Sequence, residues 1–144
     1  MNKGKARFPR KPEYEVGDAH VDGQHRQLVE LANLLYEAVV SGRGETVVHP
    51  AFEALGVYTR KHFQDEEHFF EEIGSRLLAD HRHQHETLTR ELGALHDEEM
   101  LGFVDGIPDA LEHWVETRLI PHMTEDDQKA FHARTKPLAH AVQP

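Results

Sequence analysis

The stretch Tyr58-Thr59-Arg60-Lys61-His62-Phe63-Gln64-Asp65-Glu66-Glu67 sets a histidine and a carboxylate one helical turn apart on an apolar face. That face reads Phe52, Leu55, Thr59, His62, Glu66 and Phe69 or Phe70, and it predicts a helix from about Pro50 to Ile73 with His62 and Glu66 turned inward. His68 and Glu72 repeat the spacing. His68 is six residues on from His62, however, and at about 100° per residue it falls far around the helix, so that pair is read as solvent-facing.

Three further helical patterns carry the same kind of side chain on the same kind of face. The first starts near Asp22, read as its N-cap, and runs His25, Leu28, Leu31, Ala32, Leu35 and Val39 up to the break at Ser41-Gly42-Arg43-Gly44. The third spans about Ser75 to Met100, with Leu78, His81, His85, Leu88, Leu92 and Leu95 in register. The fourth opens with Pro108 in its first turn and places Leu111, Val115, Arg118 and His122 inward, with Trp114 beside that stripe and Asp127 beyond it. His122 to Asp127 spans about 140° on an ideal helix. Pro121 removes a backbone bond just before His122; it either marks a bend only or helps both side chains turn the same way.

A single pair of this kind is weak in a chain with 13 His. Composition alone predicts about two His-x3-acid pairs, and the chain has four, at 49/53, 62/66, 68/72 and 122/126, beside one His-x3-His at 81/85. Order and interval carry more. His25 to His62 and His85 to His122 are both 37 residues, and Glu66 to His81 is 15, enough for a helix end, a turn and the next helix start. In an antiparallel up-down-up-down four-helix bundle, the fold class expected here, these intervals return each side chain to a similar depth.

His25, His62, Glu66, His81, His85, His122 and Asp127 are therefore the candidate metal residues. Leaving so many polar groups buried without strong partners would cost several kcal/mol, of order 1–3 for each, and coordination removes that cost. Five imidazoles and two carboxylates with no cysteine suit a pair of mid-row transition metals. His20, His49, His68, His83, His96, His113, His132 and His140 are assigned to the surface. A carboxylate-rich ferritin-like bundle needs Glu-x-x-His. This chain has none, only Asp-x-x-His at 22/25, 65/68 and 80/83.

Bulk properties set the frame. The 144 residues suffice for one domain, read as a basic, flexible arm over 1–15, the bundle over 16–135 and a tail over 136–144. Lys3, Lys5, Arg7, Arg10 and Lys11 against Glu13 give residues 1–13 a local charge of +4, while the whole chain stands at −10; this argues against nucleic acid as a partner. The arm is expected to be passive rather than a docking element. No apolar run reaches the roughly 20 residues of a membrane span, no leader pattern is seen, and the expected location is cytoplasmic. The absence of cysteine excludes disulfides and thiolate metal sites.

The strings Val21-Asp22-Gly23-Gln24-His25-Arg26-Gln27-Leu28, Tyr58 to Glu67 as quoted, His81-Arg82-His83-Gln84-His85 and His122-Met123-Thr124-Glu125-Asp126-Asp127 together resemble the hemerythrins, the single-domain bacterial type in particular. The resemblance implies a non-haem centre of two Fe ions. His81, His85 and His122 would hold one iron, His25 and His62 the other, which keeps an open position, and Glu66 and Asp127 would bridge them with an oxo or hydroxo oxygen. It further implies O2 as ligand, bound reversibly at the hydroperoxide level, for transport, storage or sensing. Leu28, Arg118, Leu119 and Met123 would form the O2 pocket, and an electron donor or O2-consuming enzyme would be the partner. The alternatives are a di-iron enzyme acting on peroxide, nitric oxide or ferrous iron, and a metal-binding structural bundle. Two departures stand out: residues 8–16 offer Phe8 and Tyr14 where the family usually has a Trp, and Arg118 stands where a large ring is common, with Trp114 a turn earlier.

Overall fold

A computed structural model describes residues 7–9, 11–42, 44–102 and 105–131. The element order is a short 3₁₀ turn at Pro12–Tyr14, then α1 (Ala19–Val40), α2 (Glu45–Glu72), α3 (Leu78–Met100) and α4, which runs as α-helix over Ile107–Trp114 and continues through π turns at Val115–Leu119 and His122–Asp126. α1 packs on α2 and α4, α2 on α3, and α3 on α4. Short connections make consecutive helices antiparallel, so this is the four-helix bundle that the intervals predict. Among the described residues no helix is long and apolar enough to cross a membrane.

The starts of α1, α2 and α3 differ from the sequence reading for local reasons, whereas α4 opens with Pro108 in its first turn as expected. α1 begins three residues earlier than Asp22. Asp18 is the N-cap, its carboxylate accepting from the Val21 backbone N–H at 3.1 Å. Asp22 instead folds back on the incoming chain and accepts from Val16 N–H at 2.7 Å and Gly17 N–H at 3.2 Å. α2 starts at Glu45 rather than Pro50, so Pro50 lies inside the helix, where it costs one backbone bond. α3 starts at Leu78 because a glycine stop holds residues 73–77 out of it. Gly74, at φ +66°, donates to Glu71 O (3.1 Å), and Ser75 N–H reaches back to Phe70 O (2.9 Å), a Schellman closure of α2.

The arm reading fails for its described part. Phe8 is 1% exposed, packs edge-on against Tyr36 at 5.6 Å, and exchanges two hydrogen bonds with the Asn33 side chain, 2.7 Å from its N–H and 2.9 Å to its carbonyl. Arg7 pairs with Glu112 and Glu116 on α4. Apolar contact thus outweighs the positive charge of this segment. Lys3, Lys5, Arg10, His132, His140 and the tail at 136–144 lie outside the described residues.

Two apolar layers bracket a polar one. The larger contains Leu28, Leu35, Phe52, Leu55, Leu111, Trp114 and Leu119; the smaller contains Val21, Phe70, Ala130 and Phe131. Along α2 the polar layer at His62 and Glu66 falls between Leu55 and Phe70, which fixes where a buried polar site sits.

Candidate metal centre

All seven candidate metal residues converge, and each is buried, with none above 3% exposed. They separate into two halves. In one, His81 Nε2 lies 2.9 Å from Asp127 Oδ1, His85 Nε2 lies 3.0 Å from Glu66 Oε1, and His122 Nε2 lies 3.2 Å from Asp127 Oδ1 and 3.7 Å from Glu66 Oε1. In the other, His25 Nε2 lies 2.9 Å from Asp127 Oδ2, and His62 Nε2 lies 3.4 Å from Glu66 Oε2. Glu66 therefore turns one oxygen to three imidazoles and the other to two, and Asp127 turns one oxygen to His81 and His122 and the other to His25.

The π turn beginning at His122 makes this possible. Its backbone ring closes from Asp127 N–H to His122 O, five residues apart, so the two side chains return to the same side of the helix. The preceding π turn closes from Ile120 N–H to Val115 O. Pro121, without an N–H, sits between them. The local irregularity thus goes beyond a bend.

The outer nitrogens are held by neighbours the sequence reading did not single out. His62 Nδ1–H donates to Gln24 Oε1 at 2.6 Å, and Gln24 in turn donates to Asp65 at 2.9 Å, which fixes the amide's orientation. His85 Nδ1–H donates to Glu67 at 2.7 Å, His122 Nδ1–H to Asp126 at 3.3 Å, and His25 Nδ1–H to the Tyr14 carbonyl at 3.3 Å. Such partners set the ring tautomer so that Nε2 faces the centre. A weak sequence signal existed: Gln24 and Glu67 each stand next to a metal-type residue and serve a histidine on another helix, and Asp126 is the partner in the 122/126 pair on the same helix.

The electrostatics of the cluster favour positive charge. Burial opposes the imidazolium of His25, but the bond to Asp127 and the charges of Asp127 and Glu66 outweigh it and raise its pKa. Burial likewise opposes His122, which Asp127, Asp126 and Glu66 push up to about 10. Burial works against the Glu66 carboxylate, yet the surrounding imidazoles of His122, His62 and His85 hold it well below its ordinary value. Even so, His62 Nε2 and Glu66 Oε2 are buried with no hydrogen-bond partner. A cation between them would partner both, so the donor set fits a metal.

These shifts predict the pH response of the metal-free fold. Raised histidines contribute stability that is complete below their unfolded pKa of 6.5 and is lost as pH climbs through the folded value, about 10 for His122. Depressed Glu66 contributes above 4.5 and loses that contribution as pH falls through its folded value. The denaturant midpoint of metal-free protein should therefore be highest between these limits and should decline toward pH 10. Metal-loaded protein should lose that alkaline decline, since neutral imidazoles are then ligands. A flat metal-free profile from pH 6.5 to 10 would contradict the assignment.

Arg118 is not brought to the site. Its side chain is 44% exposed and makes a two-point pair with Glu91 on α3, at 3.0 and 2.6 Å. The π turn at Val115–Leu119 adds a residue to the register, so Leu119 and Met123 turn inward, each 0% exposed, and Arg118 turns out. Trp114 is in the core rather than beside it, at 3% exposed. Leu28, also 0% exposed, follows His25 by one turn. His20, His68, His83 and His113 are exposed as expected. His49 and His96 are not on the open surface; they are half-buried and face each other across α2 and α3.

Five imidazoles and two carboxylates buried among four antiparallel helices define a metal-binding bundle. The family model described as the hemerythrin HHE cation binding domain matches residues 16–133, and the chain belongs to the hemerythrin family. It is similar to the bacteriohemerythrin of Stenotrophomonas maltophilia, 32% identical over 115 residues, covering 78% of this chain and 72% of that protein. The bacteriohemerythrin of Pseudomonas paraeruginosa is 29% identical over 107 residues (74% and 68%), and that of Clostridium acetobutylicum 26% identical over 128 residues (85% and 97%).

Proposed function

We propose that this protein binds O2 reversibly at a non-haem di-iron centre, as a carrier, store or sensor. One observation carries the reading: the two halves of the cluster are unequal. Three imidazoles and two carboxylate oxygens face one metal position; two imidazoles and two carboxylate oxygens face the other. The second position has one donor fewer, which leaves room for an outside ligand. In this reading His81, His85 and His122 would hold one iron and His25 and His62 the other, with Glu66 and Asp127 belonging to both ligand groups. A di-iron pair supplies two adjacent one-electron reductants and a place for O2.

The chain's own residues supply the rest. The Nδ1 contacts to Gln24, Glu67, Asp126 and the Tyr14 carbonyl hold the rings in place. Leu28, Leu119 and Met123, each fully buried, would keep water from the open position and favour release of an apolar ligand. Gln24, tied to Asp65 and through it to Lys61, connects His62 to the surface. The relatives' name, bacteriohemerythrin, supports the same reading.

The test is metal analysis together with visible spectra of the reduced protein cycled between air and argon. Two irons per chain and an absorption change that reverses over several cycles are expected. Oxidation in a single irreversible pass would favour the enzyme alternative, and one metal per chain would remove the di-iron reading.

A further inference from the structure

We propose that His49, His96 and Glu99 form a second metal site, for one divalent cation of the zinc class, toward the other end of the bundle. His49 Nδ1 and His96 Nε2 face each other at 2.8 Å, one from the second turn of α2 and one near the end of α3. Glu99, one turn after His96, is 6% exposed; its Oε1 is buried with no hydrogen-bond partner. The three residues each offer a ligand atom within 4.8 Å of the others. At about 1.5 Å per residue, the site lies roughly 20 Å along α2 from His62 and about 16 Å along α3 from His85.

A proton shared between the two rings accounts for the 2.8 Å contact but leaves Glu99 unexplained. A carboxylate oxygen taken out of water without a partner, as Glu99 Oε1 is, is costly, and a cation between it and the imidazoles removes that cost. The main cluster shows the same signature, with His85 Nε2 and His122 Nε2 apposed at 3.0 Å. Zinc–nitrogen bonds of about 2.0–2.1 Å in a tetrahedron separate two imidazole nitrogens by about 3.3 Å, so the rings need open by only about half an ångström. His96 is oriented by Phe52, stacked on it at 4.9 Å with planes 5° apart. Glu53 stands 3.6 Å from the outer nitrogen of His49, in the position of the carboxylate that commonly backs a metal-bound histidine. On the Glu99 side the site borders a cavity of about 370 Å³, which Glu99 lines with Val48 and Ile107. Two histidines and a glutamate with an open position are a zinc donor set. Copper(II) and nickel(II) would compete for it.

The test uses the full chain, iron-loaded, dialysed against micromolar free zinc while iron content and visible absorption are followed. One zinc per chain beyond the iron is expected. Glu99→Gln and His96→Ala should each weaken that uptake at least 10-fold, and Glu53→Gln about tenfold or somewhat more, all with iron unchanged. Cobalt(II) offered to the unaltered chain should give the visible bands of a four-coordinate ion, so the result does not depend on any variant folding. No saturable zinc uptake, or uptake that Glu99→Gln leaves unchanged, overturns the site. Should the chain hold zinc rather than iron in the seven-residue cluster, the di-iron reading fails, yet the difference of one zinc between the unaltered chain and Glu99→Gln still reports on this site alone.

Discussion

Glu66→Ala should leave the purified protein almost without bound metal and should lower its stability in the metal-free state as well. The Glu66 side chain is fully buried, and its two oxygens face opposite halves of the cluster, Oε1 toward His85 (3.0 Å) and Oε2 toward His62 (3.4 Å). Alanine removes a donor from both halves at once. Without metal, Glu66 also neutralises buried imidazoles whose pKa it helps to raise, His122 foremost. Breaking a buried pair on one side costs about 3–5 kcal/mol. Metal analysis and denaturation of the metal-free protein read the two losses separately. His83→Ala and His68→Ala, at exposed positions, should change stability by less than about 0.5 kcal/mol and leave metal content intact. A Glu66→Ala protein with undiminished metal would refute the bridging role.

Phe63→Ala should have a comparable cost through packing. The Phe63 ring lies flat on His85, centroids 3.9 Å apart and planes 1° apart, and meets His122 edge-on at 5.6 Å. It is 3% exposed. Truncating a core phenylalanine costs about 3–5 kcal/mol, and here it also frees the ring of His85 to turn. Unfolding of the metal-free protein gives the packing loss. The additional drop in metal affinity gives the positioning loss. A change below about 1 kcal/mol would mean that the cavity collapses around His85 and that Phe63 is not its support.

The seven converging residues were legible because their spacing is a property of helix length: the two 37-residue intervals run out along one helix and back along the next, and the 15-residue interval rounds one short end. Helix starts were not. Asp18 and Asp22 both precede the apolar run, and only the burial of Val21 decides between them. Arg118 was misplaced because a constant 3.6-residue turn was carried through a segment that contains two π turns, and no propensity announces a π turn beyond the nearby Pro121. His49 was missed because Pro50 looked like a helix start, which put His49 outside the helix, when it lies within it and faces His96. The cross-helix partners of the outer ring nitrogens were only faintly marked, for a different reason. Gln24 and Glu67 act across helices, and a one-dimensional pattern reports which face a residue is on, not which neighbour it meets.

The paired hydrogen bonds between Phe8 and Asn33 also have a mechanical meaning. They form a latch between the leading segment and the middle of α1, and the Arg7 pairs with Glu112 and Glu116 fasten the same segment to α4. Tension applied to the chain ahead of Arg7 is taken up by two helices before it can reach Tyr14, whose carbonyl orients His25. A cargo fused at the leading end would pull on the bundle's frame and leave that histidine undisturbed.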